Sequence, residues 1–291
     1  VQGQSPVGDE VLLAVRQSLH PEVWQSITPC LYSVFWSLSL YDIYTPSNKY
    51  ERAKTTLQQA IQRSEKEGRT LSDQNSKAAR ELRREQRSKK NAMDDMNTEF
   101  RIQKDNERAI RRWLQKQKSE VLQECERIEL TPQSFLQHCI LPRALCSPED
   151  AYFCAIFASI LNDLQTPRWS SLNYYDKLNR CLASVVYCVT EREAANLGIF
   201  LQETLRLLER WTNPRIYTNE CASKPGFNTS IRQASDKRAT HDQYVKIFGK
   251  WHSKVSGGIA RLFAHFYVLW LLLLVVVVFC CFLLFYIYIC K

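Results

Sequence analysis

The sequence predicts an all-α protein: an irregular helical solenoid or bundle with a long charged helical or coiled-coil projection and an apolar C-terminal tail. Three observations support this fold class. The chain has 291 residues but only 8 glycines and 10 prolines. No convincing stretch alternates apolar and polar side chains, as a half-buried strand would. Apolar side chains instead recur at steps of three and four residues, which is the spacing of one helix face.

Several helix starts can be identified from capping residues. A hydroxyl or amide side chain precedes proline at three of them, and proline suits the first helical position because that N–H lacks a partner anyway. At two others, threonine is followed three residues later by Glu or Gln, which is a capping box. The predicted N-caps are Thr131, Ser147, Thr190, Asn213 and Thr240.

The helix that begins after Thr190 has the clearest apolar stripe in the sequence. Its members are Ala194, Leu197, Leu201, Leu205, Leu208 and Trp211. Glu203, Arg206 and Glu209 lie on the other face. The pattern predicts a helix with one buried and one solvated side.

Residues 51–128 differ from the rest of the chain. They contain 20 basic and 14 acidic residues, one glycine and no proline. A partial heptad seam starts at Tyr50, Leu57 and Ser64 and is interrupted by polar stretches at 62–70 and 83–91. The seam shifts phase twice, so we expect a helical hairpin or an interrupted coiled coil with a hinge. A single rod would be about 115 Å long at 1.5 Å per residue.

These changes in composition divide the chain into four parts. The sequence predicts a helical segment of the scaffold at 1–50, the charged long-helix projection at 51–128, a helical array at 129–254 and an apolar tail at 255–291. Because the first residue is valine and no signal peptide follows, we expect the chain to be a fragment that lacks its N-terminal portion.

The strongest polar feature is a basic run in the charged segment. It consists of Arg80, Arg83, Arg84, Arg87, Lys89 and Lys90, with two acidic residues between them. On a helix its four arginines share one face, which could follow the phosphates of RNA. The alternative is a solvated coiled-coil face with internal Glu–Arg pairs. No aromatic side chain is interleaved, so base stacking is not indicated.

Catalysis has little support in the sequence. The five histidines are isolated, and no hydrolase, phosphate-loop, dinucleotide-binding or zinc-protease motif occurs. The adjacent His138 and Cys139 are predicted to pack in the core, because neighbouring helix residues point about 100° apart. The eleven cysteines include no C-x-x-C pair. We therefore expect a non-enzyme with no cofactor and no metal, whose cysteines are buried and reduced.

Several long motifs resemble the family of THO complex subunit 2. They include Trp24–Pro29, Phe35–Pro46, Phe135–Arg143 and Cys146–Ala151. Shorter matches follow in the family's order: Thr166–Trp169, Tyr174–Asp176, Arg210–Trp211, Pro225–Phe227 and Lys250–His252. The resemblance covers about 22–254, and the charged segment matches in character only.

The resemblance implies a role and no catalytic site. It implies a non-catalytic nuclear scaffold of the THO and transcription-export assembly, which couples transcription to packaging and nuclear export of messenger RNA. The implied partners are the other THO subunits, a DEAD-box RNA helicase, an export adaptor and, on weaker grounds, messenger RNA. We interpret most of the shared aromatic residues as core residues.

The apolar tail leaves two hypotheses open. Residues 262–290 contain no formally charged side chain and are long enough to cross a bilayer. A nuclear scaffold has no need of such a segment. The tail would then be a gene-model or retained-intron artefact that begins at Val255-Ser256, a dipeptide that an in-frame splice donor encodes. The competing hypothesis is a tail-anchored membrane adaptor with a coiled-coil stalk, flanked by Arg261 and Lys291.

Overall fold

A computed structural model describes residues 9–70, 77–119, 122, 125–229, 238–258 and 260. Within them the chain is helical and contains no β-strand, only one isolated bridge between Asn228 and Arg238. The all-α prediction is confirmed. In chain order the α-helices are α1 (Asp9–Arg16), α2 (Pro29–Ser37), α3 (Leu40–Ile43), α4 (Ser47–Thr70), α5 (Lys77–Gln117), α6 (Thr131–Phe135), α7 (Leu141–Ala144), α8 (Pro148–Asp163), α9 (Ser171–Cys188), α10 (Glu191–Arg210), α11 (Pro214–Glu220) and α12 (241–258).

Most of the predicted caps form. The side chains of Ser147, Thr190 and Asn213 each accept a hydrogen bond from a backbone N–H in the first turn of their helix. The Thr240 hydroxyl likewise accepts from the Gln243 N–H at 3.3 Å. These caps depend only on residues close in sequence, which is why the sequence predicted them.

The predicted cap at Thr131 is wrong. Helix α6 begins at Thr131 itself, and Leu130 occupies the N-cap position. The Thr131 hydroxyl instead donates to the carbonyl oxygen of Ser26 at 2.6 Å, and the residue is buried. A tertiary hydrogen bond has therefore replaced the local one, because burial makes an unpartnered hydroxyl costly.

Aromatic rings form much of the core, in two connected clusters. In the first, the Phe35 ring of α2 lies 5.2–5.4 Å from the rings of Phe135, Phe153 and Phe157. In the second, Trp211 contacts rings of α9, α12 and the loop after α11. Edge-to-face packing at these distances adds to the hydrophobic gain from burial.

The apolar stripe of α10 is rotated slightly from the predicted one. Leu197, Leu208 and Trp211 are buried as predicted, but Ala194 is exposed. Phe200 and Thr204 are buried in addition, so the face that contacts α8 is centred on the line through these residues. The prediction counted only the aliphatic residues and Trp211, which displaced the centre of the face.

One buried arginine joins the first aromatic cluster to the end of a helix. The Arg143 guanidinium donates to the carbonyl oxygens of Phe35 and Leu38 and to the Asp150 carboxylate at 2.8 Å. It also lies over the Phe153 ring, 3.8 Å from its centroid. The two carbonyls are at the C-terminus of α2, where helix carbonyls lack intrahelical partners, so Arg143 satisfies both.

The segment after α11 approaches α8 and α9 so closely that it requires a glycine at position 226. A Cβ atom there would lie 2.6 Å from the Ser171 Oγ and 2.8 Å from the Asn162 Oδ1. Both of those side chains are buried, and the Ser171 hydroxyl also accepts a hydrogen bond from the Trp169 indole. The Pro225–Phe227 motif therefore has a packing role: it lets Phe227 reach the Trp211 ring at 5.3 Å.

Helices α4 and α5 form an antiparallel hairpin, as predicted. The Tyr50 hydroxyl near the start of α4 donates to the Gln103 Oε1 at 3.1 Å, whereas the Ser64 carbonyl accepts from Gln86 Nε2 at 2.7 Å. Of the described residues 45–109, none belongs to the hydrophobic core or packs against it. The hairpin joins the body beside α3, where Gln103 Nε2 donates to the Tyr44 carbonyl at 3.1 Å, and through the end of α5, where Leu114 is buried.

The second predicted phase shift of the heptad seam, which falls within α5, is wrong, whereas the first falls at the junction of α4 and α5 and stays a prediction. Along α5 a buried or half-buried residue recurs every three or four positions without interruption: Ala79, Leu82, Gln86, Lys89, Met93, Met96, Phe100, Gln103, Glu107, Ile110 and Leu114. The matching residues of α4 are Ser47, Tyr50, Lys54, Leu57, Ile61, Ser64 and Gly68. The seam was missed because several of its members are polar. Its spacing is typical of a coiled coil, and supercoiling stays a prediction.

The apolar tail at 262–290 lies outside the described residues. Within the part of the chain that the structure describes, no helix is both long enough and apolar enough to span a membrane. Helix α12 continues past Lys254 to residue 258, and Val255 packs against the core. The first residues of the predicted tail segment are thus part of the helical body. The four-part division of the chain stays a prediction.

Candidate nucleic-acid interface

The structure places all six residues of the basic run on one stretch of α5. Arg80, Arg83, Arg84 and Arg87 are all exposed, but Arg83 lies beside α4, where it lines a groove with Glu65 and Arg69. Their orientation follows from the seam, because the heptad spacing directs Leu82 and Gln86 toward α4 and leaves the intervening positions in solvent. Arg80, Arg84 and Arg87 share an exposed face of α5, Arg83 borders α4, and a role of the run in RNA binding stays a prediction.

The two lysines of the run differ from the arginines. Lys89 is half-buried in the seam, where its Nζ lies 2.8 Å from the Glu85 carboxylate and donates to the Ser64 Oγ at 3.0 Å. Lys90 pairs with Glu65 of α4 at 3.1 Å. These lysines link the hairpin's two helices and are less available to an outside ligand than the arginines. Both lysines of the run therefore make the kind of internal ion pair that the solvated-face alternative expects.

Sequence reasoning missed a second basic stretch on the same helix. Residues 108–119 contain five basic residues and no acidic residue. Arg108, Arg111 and Arg112 are exposed and line an open groove of about 720 Å³ beside the end of α8. A count of net charge in a moving window would have found this stretch, but nothing in the local sequence shows that α8 forms the opposite wall.

Burial lowers the reactivity of four of the described cysteines. Burial raises the pKa of the thiols of Cys139, Cys154, Cys181 and Cys221, which keeps them protonated at neutral pH. The prediction of burial is wrong for Cys146 and Cys188, which are exposed. Cys280, Cys281 and Cys290 lie outside the described residues. Among all the residues that the structure describes, no group of three His, Cys, Asp or Glu side chains is placed to bind a metal ion.

His138 and Cys139 lie in a turn of π-helix, Leu136–Ile140, which precedes Pro142. Proline has no N–H for the carbonyl of residue 138, and a π turn is one way to accommodate that loss. Cys139 is buried and His138 is half-buried. Burial lowers the pKa of the His138 imidazole, so the ring is neutral at pH 7. The predicted core packing is therefore confirmed for Cys139 but not for His138, which lies at the edge of the core.

The fold and this interface define an all-α protein with an aromatic core and a charged helical hairpin. Residues 24–265 of the chain match the Tho2 family, described as "Transcription factor/nuclear export subunit protein 2". Because the match covers most of the chain, the chain belongs to this family.

Similar proteins carry the name THO complex subunit 2. The relative from Arabidopsis thaliana is 33% identical over 255 residues, which are 87% of this chain and 14% of that protein. The human relative is 30% identical over 251 residues, 82% of this chain and 15% of that protein. The relative from Saccharomyces cerevisiae is 29% identical over 192 residues, 63% of this chain and 10% of that protein. The chain thus spans only a small part of its curated relatives.

The family match corrects one predicted boundary. The resemblance was expected to end near Lys254, but the match continues to residue 265. It therefore includes the Val255-Ser256 dipeptide at which the artefact hypothesis placed an intron. The last motif that carried the resemblance was Lys250–His252, and no aromatic or proline residue follows it before Phe263.

Proposed function

We propose that this chain is a non-catalytic scaffold segment of the THO and transcription-export complex, where it helps to couple transcription to messenger RNA packaging and nuclear export. The observation that carries the proposal is the Tho2 family match over residues 24–265. The proposed partners are the other THO subunits, a DEAD-box RNA helicase, an export adaptor and messenger RNA. The proposed location is the nucleus.

The architecture supports a scaffold role. Two aromatic clusters fix the relative positions of α2, α8, α9, α10 and α12, so their outer faces form a rigid surface. The charged hairpin extends the polar surface beyond that core, since none of the described residues 45–109 belongs to the hydrophobic core. A rigid body that presents a separate charged arm can hold two partners at a fixed spacing.

Affinity purification from nuclear extract tests the scaffold proposal. We expect the tagged full chain to recover other THO subunits and the associated helicase. Retention in membranes after a salt wash, lost in a variant that ends at Ala260, would favour the tail-anchored adaptor instead; the uncharged run 262–290 is the observation that favours this second candidate. Recovery of no THO subunit from nuclei would contradict the scaffold proposal.

The basic run is proposed to contact RNA through its arginines. Replacing Arg80, Arg84 and Arg87 with glutamine should reduce the salt dependence of binding to single-stranded RNA, with a slope of log Kobs against log salt smaller by about 2, since each lost phosphate contact removes about 0.7. The Lys89→Gln/Lys90→Gln variant should change the slope less, because both lysines already have carboxylate partners.

A charge-matched control separates a specific contact from the loss of net charge. The triple variant Arg52→Gln/Arg192→Gln/Arg215→Gln also removes three exposed positive charges, from α4, α10 and α11. Fluorescence anisotropy at several salt concentrations measures all three slopes. Equal slopes for the basic-run variant and the control would confine the run to solubility and hairpin pairing.

A further inference from the structure

The arginine-lined groove defined above has a built shape as well as a charge. Its floor is the C-terminal half of α5, and its far wall is the end of α8, which contributes Asp163 and the Leu164 carbonyl. The two walls are joined by Lys118, whose Nζ donates to that carbonyl at 3.0 Å. Because α5 and α8 are both fixed on the core, the guanidinium groups project from a rigid surface.

The groove keeps a positive charge although two carboxylates lie in it. Asp163 is paired with Lys224 at 2.7 Å, and Asp105 is paired with Arg108 at 3.3 Å. Arg112 uses one N–H to donate to the backbone carbonyl of Arg108, which orients its guanidinium and leaves further donors. Glu107 lies outside the groove and interacts with Arg111, but it is already paired with Lys104 at 2.9 Å. Once these pairs are counted, Arg111 and Arg112 supply charge that no carboxylate lining the groove balances.

The composition of the walls indicates which kind of anion fits. Leu164 is the only apolar side chain among the described lining residues, and it is only 7% exposed. A protein partner would require an apolar or aromatic anchor pocket, which such walls do not offer. Arginine, by contrast, binds phosphate oxygens through two parallel N–H groups. No aromatic ring lines the groove, so stacking on bases is not part of the contact.

We propose that Arg108, Arg111 and Arg112 bind the phosphodiester backbone of a nucleic acid in this groove, without preference for base sequence. The site is distinct from the basic run, because Arg84 and Arg108 are about 36 Å apart along α5 at 1.5 Å per residue. This proposal depends on the proposed function in one respect: RNA is chosen as the probe because the basic run is proposed to contact RNA. Phosphate contacts of this kind fix position and carry no sequence information.

The test compares the full chain with the variant Arg108→Gln/Arg111→Gln/Arg112→Gln, using single-stranded oligouridylate as the probe. We expect the slope of log Kobs against log salt to decrease by about 2, which corresponds to about 100-fold weaker binding at 0.1 M salt if the two proteins converge at 1 M. An oligoadenylate of equal length should give the same result. The variant Arg108→Lys/Arg111→Lys/Arg112→Lys keeps the charge and should retain most of the slope.

Three outcomes would overturn the proposal. One is a slope for the glutamine variant equal to that of the Arg52→Gln/Arg192→Gln/Arg215→Gln control. Another is that the same arginines bind polyglutamate but do not bind RNA, which would indicate an acidic protein partner. The third is a full chain that does not bind the probe. None of these outcomes affects recovery of THO subunits from nuclei, so the groove and the scaffold role are tested separately. Circular dichroism of each variant checks that α5 is intact.

Discussion

Replacing Arg143 with methionine is expected to lower the free energy of unfolding by about 3–5 kcal/mol, the range found when one partner of a buried ion pair is removed. The side chain is only 9% exposed. Its loss leaves the Phe35 and Leu38 carbonyls without their donor and Asp150 without its cation. Methionine has a similar length and apolar stem, so packing against Phe153 is partly kept and the missing hydrogen bonds dominate the change.

Urea unfolding followed by circular dichroism measures this effect. Arg206→Met is the matched control, because Arg206 pairs with Glu203 at 3.0 Å but its side chain is 64% exposed. An exposed pair contributes about 0–1 kcal/mol. Arg143→Lys should be intermediate, since an ammonium keeps the charge but cannot reach two carbonyls and a carboxylate in the planar geometry of guanidinium. Similar changes for Arg143→Met and Arg206→Met would show that burial of the guanidinium contributes nothing.

Arg143 also shows where prediction from the sequence reaches its limit. The Phe135–Arg143 motif was recognised as a unit. The contacts of Arg143 could not be predicted from it, because the Phe35 and Leu38 carbonyls are more than 100 positions away in the chain. Caps such as Thr190 were predicted correctly because donor and acceptor are three residues apart. Thr131, which precedes Pro132, was also predicted as a cap from local sequence and failed, since its hydroxyl donates to the distant Ser26 carbonyl.

The same distinction applies to the candidate interface. The exposed face of Arg80, Arg84 and Arg87 follows from helical spacing, so the sequence was sufficient to predict it. The groove at Arg111 and Arg112 could not be predicted, because its second wall comes from α8, some 50 positions later in the chain. A polar heptad seam was also hidden from a pattern that counts only apolar residues, although packing at such positions tolerates long polar side chains.

The second large effect is expected at Trp211, where replacement by alanine should lower the free energy of unfolding by about 3–5 kcal/mol. The residue is 1% exposed, and its ring contacts Tyr175 at 5.9 Å, Phe227 at 5.3 Å and Tyr244 at 6.3 Å. These rings belong to α9, to the loop after α11 and to α12. Removing the indole leaves a cavity that three separate elements would have to close together.

Two further variants separate the causes of the Trp211 effect. Trp211→Phe keeps an aromatic ring but removes the indole N–H, which donates to the Glu220 carboxylate at 3.0 Å. Glu220 keeps its pair with Arg210, so the loss of one hydrogen bond should add only about 1 kcal/mol to the smaller packing loss. Trp36→Ala is the control for ring size, because Trp36 is 39% exposed and leaves a gap that water can fill.

Comparing Arg143→Met with Trp211→Ala also tests whether the two aromatic clusters unfold together. If they form one cooperative unit, Arg143→Met and Trp211→Ala should each lower the midpoint of a single unfolding transition, with helical signal and tryptophan fluorescence changing together. If the clusters unfold separately, each variant should produce an early transition that involves only its own part of the chain. Phe135 contacts Trp169 at 5.7 Å, and Tyr174 and Tyr175 continue the ring contacts to Trp211. This unbroken series of rings favours one transition, and two transitions would contradict a rigid scaffold.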